Sequence, residues 1–256
     1  MQIAIIGAGN MGGAIIRGLL KHGTDNNLLV ADIAQLPLDE LKQLSPTISV
    51  SLSAKEIVPK ADIVIVAVKP WLVEAVLEDI APMLRRDQLL ISIAAGVDFE
   101  CLAKLTDNPE VQLFRVIPNT AIEHGESMTL VASFNASKEG ENTVLGLFNQ
   151  LGKAVLIDEN LMTAATSVAS CGVAYALRYL RAAVAGAVEL GFRADVATQI
   201  VAQTMKGAVS LVEGGAHPEV EIDKVCTPGG WTVKGLNEME AHGFTNSVIK
   251  GLKANS

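Results

Sequence analysis

Glycines at 7, 9 and 12, in Gly7-Ala8-Gly9-Asn10-Met11-Gly12, follow the apolar run Ile3 to Ile6 and precede a helical pattern of Ile15, Ile16, Leu19 and Leu20. In this spacing the first glycine permits a tight turn and the second lets backbone approach a pyrophosphate. The third lets the following helix pack closely on the strand. A second apolar run, Leu28 to Ala31, ends in Asp32, 20 positions after Gly12. An acid at that separation is placed to accept hydrogen bonds from an adenosine ribose. A glycine turn by itself is common and needs no ligand. Strand, glycines, helix and terminal acid together favour a dinucleotide, with the helix N-terminus offering N–H groups and a positive dipole end to the pyrophosphate.

Three further stretches set polar residues beside turn-formers. Ala67-Val68-Lys69-Pro70 ends the β-branched run that starts at Asp62, where a doubly wound sheet exposes strand ends to ligand. Lys69 either approaches a cofactor there or is an ordinary solvated lysine. Arg115 to Thr120 delivers Asn119 and Thr120 to the same edge, or forms a capped turn after Pro118. Cys226-Thr227-Pro228-Gly229-Gly230-Trp231-Thr232 leads into a helix. Two glycines before a helix N-terminus make an anion site of backbone N–H groups, suited to a carboxylate; the alternative is an interhelical turn capped by Thr232. His22, His124, His217 and His242 share no ligand spacing, so no metal is expected.

The elements that must position these groups follow from periodicity. Helical and strand patterns alternate from Leu36 onward. The segments are a helix Leu36–Leu44, a strand Ile48–Val50, a Ser-capped helix Ser53–Val58, a strand Asp62–Val68 and an amphipathic helix Trp71–Leu84. A strand Leu89–Ile93, stopped by Ala94-Ala95-Gly96, is followed by a helix to Leu105 and strands at 111–117 and 128–132. A helix at 137–151 and a strand at 154–157 complete the series. This order predicts an α/β fold, a doubly wound parallel sheet with helices on both faces. From Asn160 almost nothing reads as strand, so residues 1–158 are expected to form the dinucleotide-binding domain and 159–256 an all-α helical domain. Within one of its helices Ala182, Ala183, Ala185, Gly186 and Ala187 are small. That smooth face suits close packing on another helix, either between subunits or in an intrachain core.

The 256-residue chain carries a formal charge of −8, which argues against a nucleic-acid partner. Cys101, Cys171 and Cys226 are scattered and never form C-x-x-C, which fits a reduced, cytoplasmic protein. Met1 runs directly into the first strand, so no leader is expected. Met162 to Leu177 is uncharged but shorter than a bilayer span, and no membrane association is expected.

The motifs together resemble the pyrroline-5-carboxylate reductase family over essentially the whole chain. They are Gly7-x-Gly9-x-Met11-Gly12, Ala67-Val68-Lys69-Pro70, Ser92-Ile93-Ala94-Ala95-Gly96-Val97, Arg115-x-x-Pro118-Asn119-Thr120, Ala174-Tyr175, Ala202-Gln203-Thr204, His217-Pro218 and, most specific, Thr227-Pro228-Gly229-Gly230-x-Thr232. The resemblance implies a Rossmann-type domain followed by a helical dimerisation domain that intertwines with a second subunit, giving a homodimer or a higher homo-oligomer. The implied activity is hydride transfer from NADH or NADPH to the cyclic imine 1-pyrroline-5-carboxylate, giving L-proline. Rival readings are a related imine or β-hydroxy acid reductase, or a non-catalytic NAD(H)-responsive sensor.

Roles follow residue by residue. Gly7, Ala8, Gly9, Asn10, Met11, Val68, Lys69 and Ala95 match cofactor-contacting positions, and Gly12, Asp32, Ala67, Pro70, Ala94 and Asn119 complete the candidate cofactor set. Gly229, Gly230, Trp231 and Thr232 are the candidate substrate-binding residues. Gly230 and Trp231 backbone would hold the carboxylate, and Thr232, the candidate catalytic residue, would hydrogen-bond the ring nitrogen. The chain departs from the family pattern at Val173, at Ala121 and at Ile222, which bears on the shape of the substrate pocket. Asp32, with no Arg or Lys before Lys42, favours NADH, because a carboxylate repels a 2′-phosphate.

Overall fold

The structure is a computed structural model and describes residues 1–254. It divides into two compact units, one from Met1 to Ser170 and a second from Cys171 onward. In the first unit the order is β1 (Gln2–Ile6), α1 (Asn10–Lys21), β2 (Asn27–Ala31), α2 (Gln35–Leu44), β3 (Ser49–Ser51), β4 (Ile63–Val66), α3 (Val73–Ile80) and β5 (Leu89–Ser92). It continues through α4 (Phe99–Thr106), β6 (Gln112–Ile117), β7 (Ser127–Phe134), α5 (Lys138–Asn149), β8 (Gly152–Leu156) and α6 (Met162–Ala169). The strands form one eight-stranded sheet in the order β3-β2-β1-β4-β5-β6-β7-β8. All neighbours are parallel except β6 and β7, where Arg115 pairs with Ala132 across an antiparallel step.

Alternation along the central strands explains why they read as unbroken apolar runs. Ile3 and Ile5 of β1 and Ile63 and Ile65 of β4 face the core shared with α1 and α5. Ala4, Ile6, Val64 and Val66 face the opposite core, with Leu77 of α3 and Leu102 of α4. A parallel strand covered on both faces has no polar side to show. Met162 of α6 is buried in that second core, so α6 packs with the sheet unit.

Two expected helices are corrected. Residues 71–84 are a 3₁₀ turn (Pro70–Leu72), the two-turn α3 and a second 3₁₀ turn (Ala81–Met83). Pro82 has no N–H to give to the carbonyl four residues back, and its ring crowds that carbonyl, so the α-helix stops at Ile80. Residues 53–58 likewise form short 3₁₀ turns, Ala54–Glu56 and Val58–Lys60, and Ser53 makes no side-chain cap. Ser51 organises that bend instead, its hydroxyl accepting from the Ser53 N–H and donating to Glu56.

The second unit is all-helical: α7 (Cys171–Glu189), α8 (Ala194–Val212), α9 (Pro218–Val225), α10 (Trp231–Ala241) and α11 (Phe244–Lys253). Tyr179 of α7 meets Phe244 of α11 edge to face, with centroids 6.3 Å apart. Its helices leave Leu177, Val188, Ile200, Val209 and Leu211 exposed. Among the described residues no helix is long and apolar enough to cross a membrane.

Candidate functional site

The glycine turn lies where β1 hands over to α1. Gly7 has φ +104°, a left-handed conformation that glycine adopts without strain, and its N–H donates to the Ala31 carbonyl at 2.7 Å. A Cβ at Gly7 would stand 2.8 Å from the Ala67 carbonyl oxygen, so the turn is pressed against the end of β4. At Gly12 a Cβ would collide with the Gly7 carbonyl oxygen, which is why α1 can start so close to the strand. Gly9 differs from both. Nothing lies within 4 Å of where its Cβ would be. Its bare backbone faces open space at the helix N-cap, no side chain caps α1, and no acid occupies the first turn. The N–H groups of Asn10, Met11 and Gly12 therefore have no intrahelical partner and are free for an anion.

That open space is part of a cleft of about 1060 Å³ along the carboxyl edge of the sheet. Gly7, Gly9, Asn10, Met11 and Asp32 line one stretch of it. Ala67, Val68, Lys69 and Pro70 after β4, and Ala94 and Ala95 after β5, line another. Lys69 is exposed, and its side chain makes no ion pair or hydrogen bond among the described residues. A pyrophosphate-bearing ligand fits this wall: a glycine cradle, free N–H groups and an unengaged lysine meet on one opening.

Three of the expected cofactor residues support the wall without lining it. Gly12 sets the helix against the turn, as described. Ala8 is buried, and its N–H donates to Asp32 Oδ2 at 2.7 Å. Asn119 is 5% exposed; its amide oxygen accepts from the Ala121 N–H at 3.0 Å and its amide nitrogen donates to the Ala169 carbonyl at 3.0 Å. Asn119 thereby ties the turn after β6 to the end of α6. Arg115 of β6 supports the neighbouring stretch, pairing with Glu159 at 2.6 Å, while Glu159 also accepts the Phe99 N–H.

The substrate-binding candidates belong to the second unit. The Gly230 N–H donates to the Thr227 carbonyl at 2.9 Å, closing a turn in which Gly229 has φ +72°. Gly230 is the N-cap of α10, with no side-chain cap and no acid in the first turn. Thr232 is thus inside the helix and does not cap it. Thr232 is exposed in the first turn of α10. Trp231 is 90% exposed. This is a second helix N-terminus left open for a negative group. Among the described residues no three or more His, Cys, Asp or Glu side chains are grouped to hold a metal ion.

Residues 159–256 match a family model described as pyrroline-5-carboxylate reductase dimerisation, and residues 2–96 match one described as NADP oxidoreductase, coenzyme F420-dependent. Pyrroline-5-carboxylate reductase 1 of Dictyostelium discoideum is 35% identical over 99% of this chain, which spans only 48% of that relative. Pyrroline-5-carboxylate reductase of Methanosarcina acetivorans is 35% identical, with 97% of this chain and 94% of the relative covered. The chain belongs to the pyrroline-5-carboxylate reductase family. A crystal structure of Plasmodium falciparum pyrroline carboxylate reductase with NADP bound superposes at a TM-score of 0.87, with 27% identity and coverage of 100% of this chain and 95% of that one.

For a member of this family the cleft also holds residues that sequence reasoning missed. Ile33, Leu52, Ser53 and Ala54 line it beside Asp32, and Arg17 and Glu123 line it beside Thr120. Leu52 to Ala54 carry no motif; they reach the cleft because β3 is the neighbour of β2. Arg17 had a signal, since Asn10, Ala14 and Arg17 share one helical face by the i, i+4, i+7 rule.

Proposed function

We propose that this chain reduces the C=N bond of 1-pyrroline-5-carboxylate with NAD(P)H, giving L-proline. One observation carries the reading: in a chain of this family, the unobstructed Gly9 backbone opens onto a cleft beneath the free N–H groups of α1, with Lys69 and Ala95 on the same wall. When bound there, the reduced nicotinamide supplies the hydride. The N–H groups of Asn10, Met11 and Gly12 hold the pyrophosphate, and Asp32 accepts from the adenosine ribose hydroxyls. Gly7, Ala8, Ala67, Val68, Pro70 and Ala94 shape the wall, and Asn119 fixes the turn after β6.

At the turn before α10, the Gly230 and Trp231 backbone holds the substrate carboxylate, with Gly229 supplying the left-handed bend. Thr232 Oγ1 hydrogen-bonds the ring nitrogen, directly or through water, and steadies it as negative character grows there on hydride addition, while the proton that completes the amine comes from solvent. The reading requires no metal. We assign residues 1–158 to cofactor binding and 159–256 to dimerisation and substrate, the latter supported by the family match over the same residues. The protein acts as a homodimer or a larger homo-oligomer. Asp32 favours NADH over NADPH. Cytoplasmic location is supported by three cysteines that are all unpaired.

The test is to mix purified protein with pyrroline-5-carboxylate and reduced cofactor and follow the loss of nicotinamide absorbance alongside L-proline formation. One proline per cofactor oxidised is the expected result. Cofactor binding without turnover would instead make the chain a sensor.

A further inference from the structure

We propose that Arg17 is an anion-contacting residue of the cofactor cleft, reaching the phosphate on the nicotinamide side of the dinucleotide. This rests on the dinucleotide-binding reading above.

Arg17 stands seven residues after Asn10 on α1, about 10 Å along the axis at 1.5 Å per residue. Its side chain runs back toward the helix N-terminus, as helical side chains do. Nη1 lies 2.9 Å from where a Gly13 side chain would begin, so only glycine leaves that path clear. The guanidinium is thereby level with Gly13, roughly 6 Å, about one turn, from the Gly9 end where the free N–H groups sit. Its Nε pairs with Glu123 Oε2 at 3.0 Å, and it makes no other ion pair or hydrogen bond among the described residues. The donors of Nη1 and Nη2 therefore remain available on a residue that lines the cleft.

Charge on the wall points the same way. The cleft is lined by three acids, Asp32, Asp79 and Glu123, and by only two cations, Arg17 and Lys69. Asp79 is paired with Lys55 and Glu123 with Arg17 Nε, so Lys69 and the Nη groups of Arg17 are the cationic donors on this wall that can meet a pyrophosphate carrying about two negative charges. Arg17 Nε is held by a group that is itself 38% exposed, and the arginine is 40% exposed, so this pair is not an inert buried strut.

A simple structural tether between α1 and the turn at Thr120–His124 is the competing account. Gly18 and Ile122 already bring those elements together, since a Cβ at Gly18 would stand 2.8 Å from the Ile122 carbonyl oxygen. The two accounts part on Glu123. If Arg17 contacts phosphate, Glu123→Gln removes a competing acid and does not weaken cofactor binding. If the pair is a tether, losing either partner weakens binding alike.

The experiment measures dissociation constants of NADH and of AMP, which lacks the second phosphate, by fluorescence or calorimetry, with melting temperatures recorded for each variant. Arg17→Gln is expected to weaken NADH about five- to twentyfold while leaving AMP within about twofold, with Arg17→Lys restoring part of the loss. Gly13→Ala, which displaces a flexible guanidinium end, should mimic part of the Arg17→Gln effect. Glu123→Gln should bind NADH as tightly as the wild type or up to a few-fold tighter. Equal weakening of NADH by Arg17→Gln and Glu123→Gln, or no weakening by Arg17→Gln, overturns the assignment. A wild type that binds neither NADH nor AMP overturns the parent reading as well, a result distinguishable from the others.

Discussion

Asp32 holds the glycine turn from behind: its Oδ2 accepts the Ala8 N–H at 2.7 Å, and its Oδ1 accepts the Ala34 N–H at 2.9 Å. The acid that ends β2 is thus also a brace for the turn that ends β1. Each carboxylate oxygen has a further lone pair, so the brace and a ribose contact are compatible. A 2′-phosphate brought to the same carboxylate meets like charge, worth very roughly 1 to 4 kcal/mol depending on screening. NADH is therefore expected to give a kcat/KM at least equal to that of NADPH. Asp32→Ser should move the ratio toward NADPH, while lowering kcat/KM for NADH because Ala8 loses its acceptor. Steady-state kinetics with both cofactors check this; an unchanged ratio in the mutant would mean Asp32 does not read the ribose.

The three fingerprint glycines should fail in different ways. Gly12→Ala drives a Cβ into the Gly7 carbonyl, a backbone clash that is expected to cost about 1–3 kcal/mol and to lower the melting temperature. Gly9→Ala meets nothing in the protein, so the fold should keep its melting temperature while NADH affinity falls at least about tenfold. Thermal melts paired with cofactor titrations separate the two. A Gly9→Ala protein with wild-type affinity would place the pyrophosphate elsewhere.

What the sequence makes legible is local. Ile63 to Val66 reads as a strand covered on both faces because every one of its side chains enters a core. The glycine turn is legible because backbone conformation restricts which residues can occupy it. Pro82 was equally visible, but the apolar spacing of residues 71–84 outweighed it, and proline stops an α-helix whatever the pattern. The Arg17–Glu123 pair joins residues more than a hundred positions apart, and no short-range pattern encodes that meeting. Asn119 was expected at the cofactor because its motif sits at a strand end; its engagement by Ala121 and Ala169 depends on where α6 packs. The Gly229-Gly230 turn was readable as an anion site, whereas its substrate came only from the family resemblance.

Glu141, outside the cleft, is a contributor to acid sensitivity. The hydroxyl of Ser133 donates to Glu141 Oε1 at 2.8 Å and Lys138 donates to Oε2 at 3.1 Å. The Ser133 hydrogen bond, then Lys138, hold the Glu141 carboxyl below its ordinary value of 4.5, against a smaller opposing effect of burial. A carboxyl with a depressed folded-state pKa stabilises the fold fully above its unfolded value, and that contribution is lost as pH falls through the folded value. Glu141→Gln should therefore lower stability by roughly 0.5–1 kcal/mol at pH 7 and by progressively less below pH 4.5. Chemical denaturation at several pH values measures the difference. A gap that stays constant into acid would assign the effect to shape and not to charge.

The exposed apolar residues of the helical unit predict association. Leu177 of α7 is 58% exposed and Val209 of α8 57%. Sedimentation across a dilution series should give a dimer or larger species, and Leu177→Glu should shift it toward monomer with loss of activity. A fully active monomer would show that the small-residue face of α7 has another purpose.

Thr232 provides the sharpest test of the chemistry. It sits in the first turn of α10, separated by Trp231 from the two glycines that leave that helix end uncapped. Backbone N–H groups at Gly230 and Trp231 would bind a carboxylate equally well before and during reaction, so they contribute mainly to substrate affinity. The ring nitrogen changes its charge as hydride arrives, so a hydroxyl there matters most in the transition state. Thr232→Ala is accordingly expected to lower kcat by about 10- to 1,000-fold while changing KM by only a few-fold. Thr232→Ser keeps the hydroxyl and should recover most of the rate, provided the lost methyl group does not free its rotamer. Kinetics on both variants, with helix content checked by circular dichroism, decide the matter. If Thr232→Ala raises KM and leaves kcat intact, the hydroxyl binds substrate without taking part in the hydride step; if neither constant moves, the ring nitrogen is served by another group.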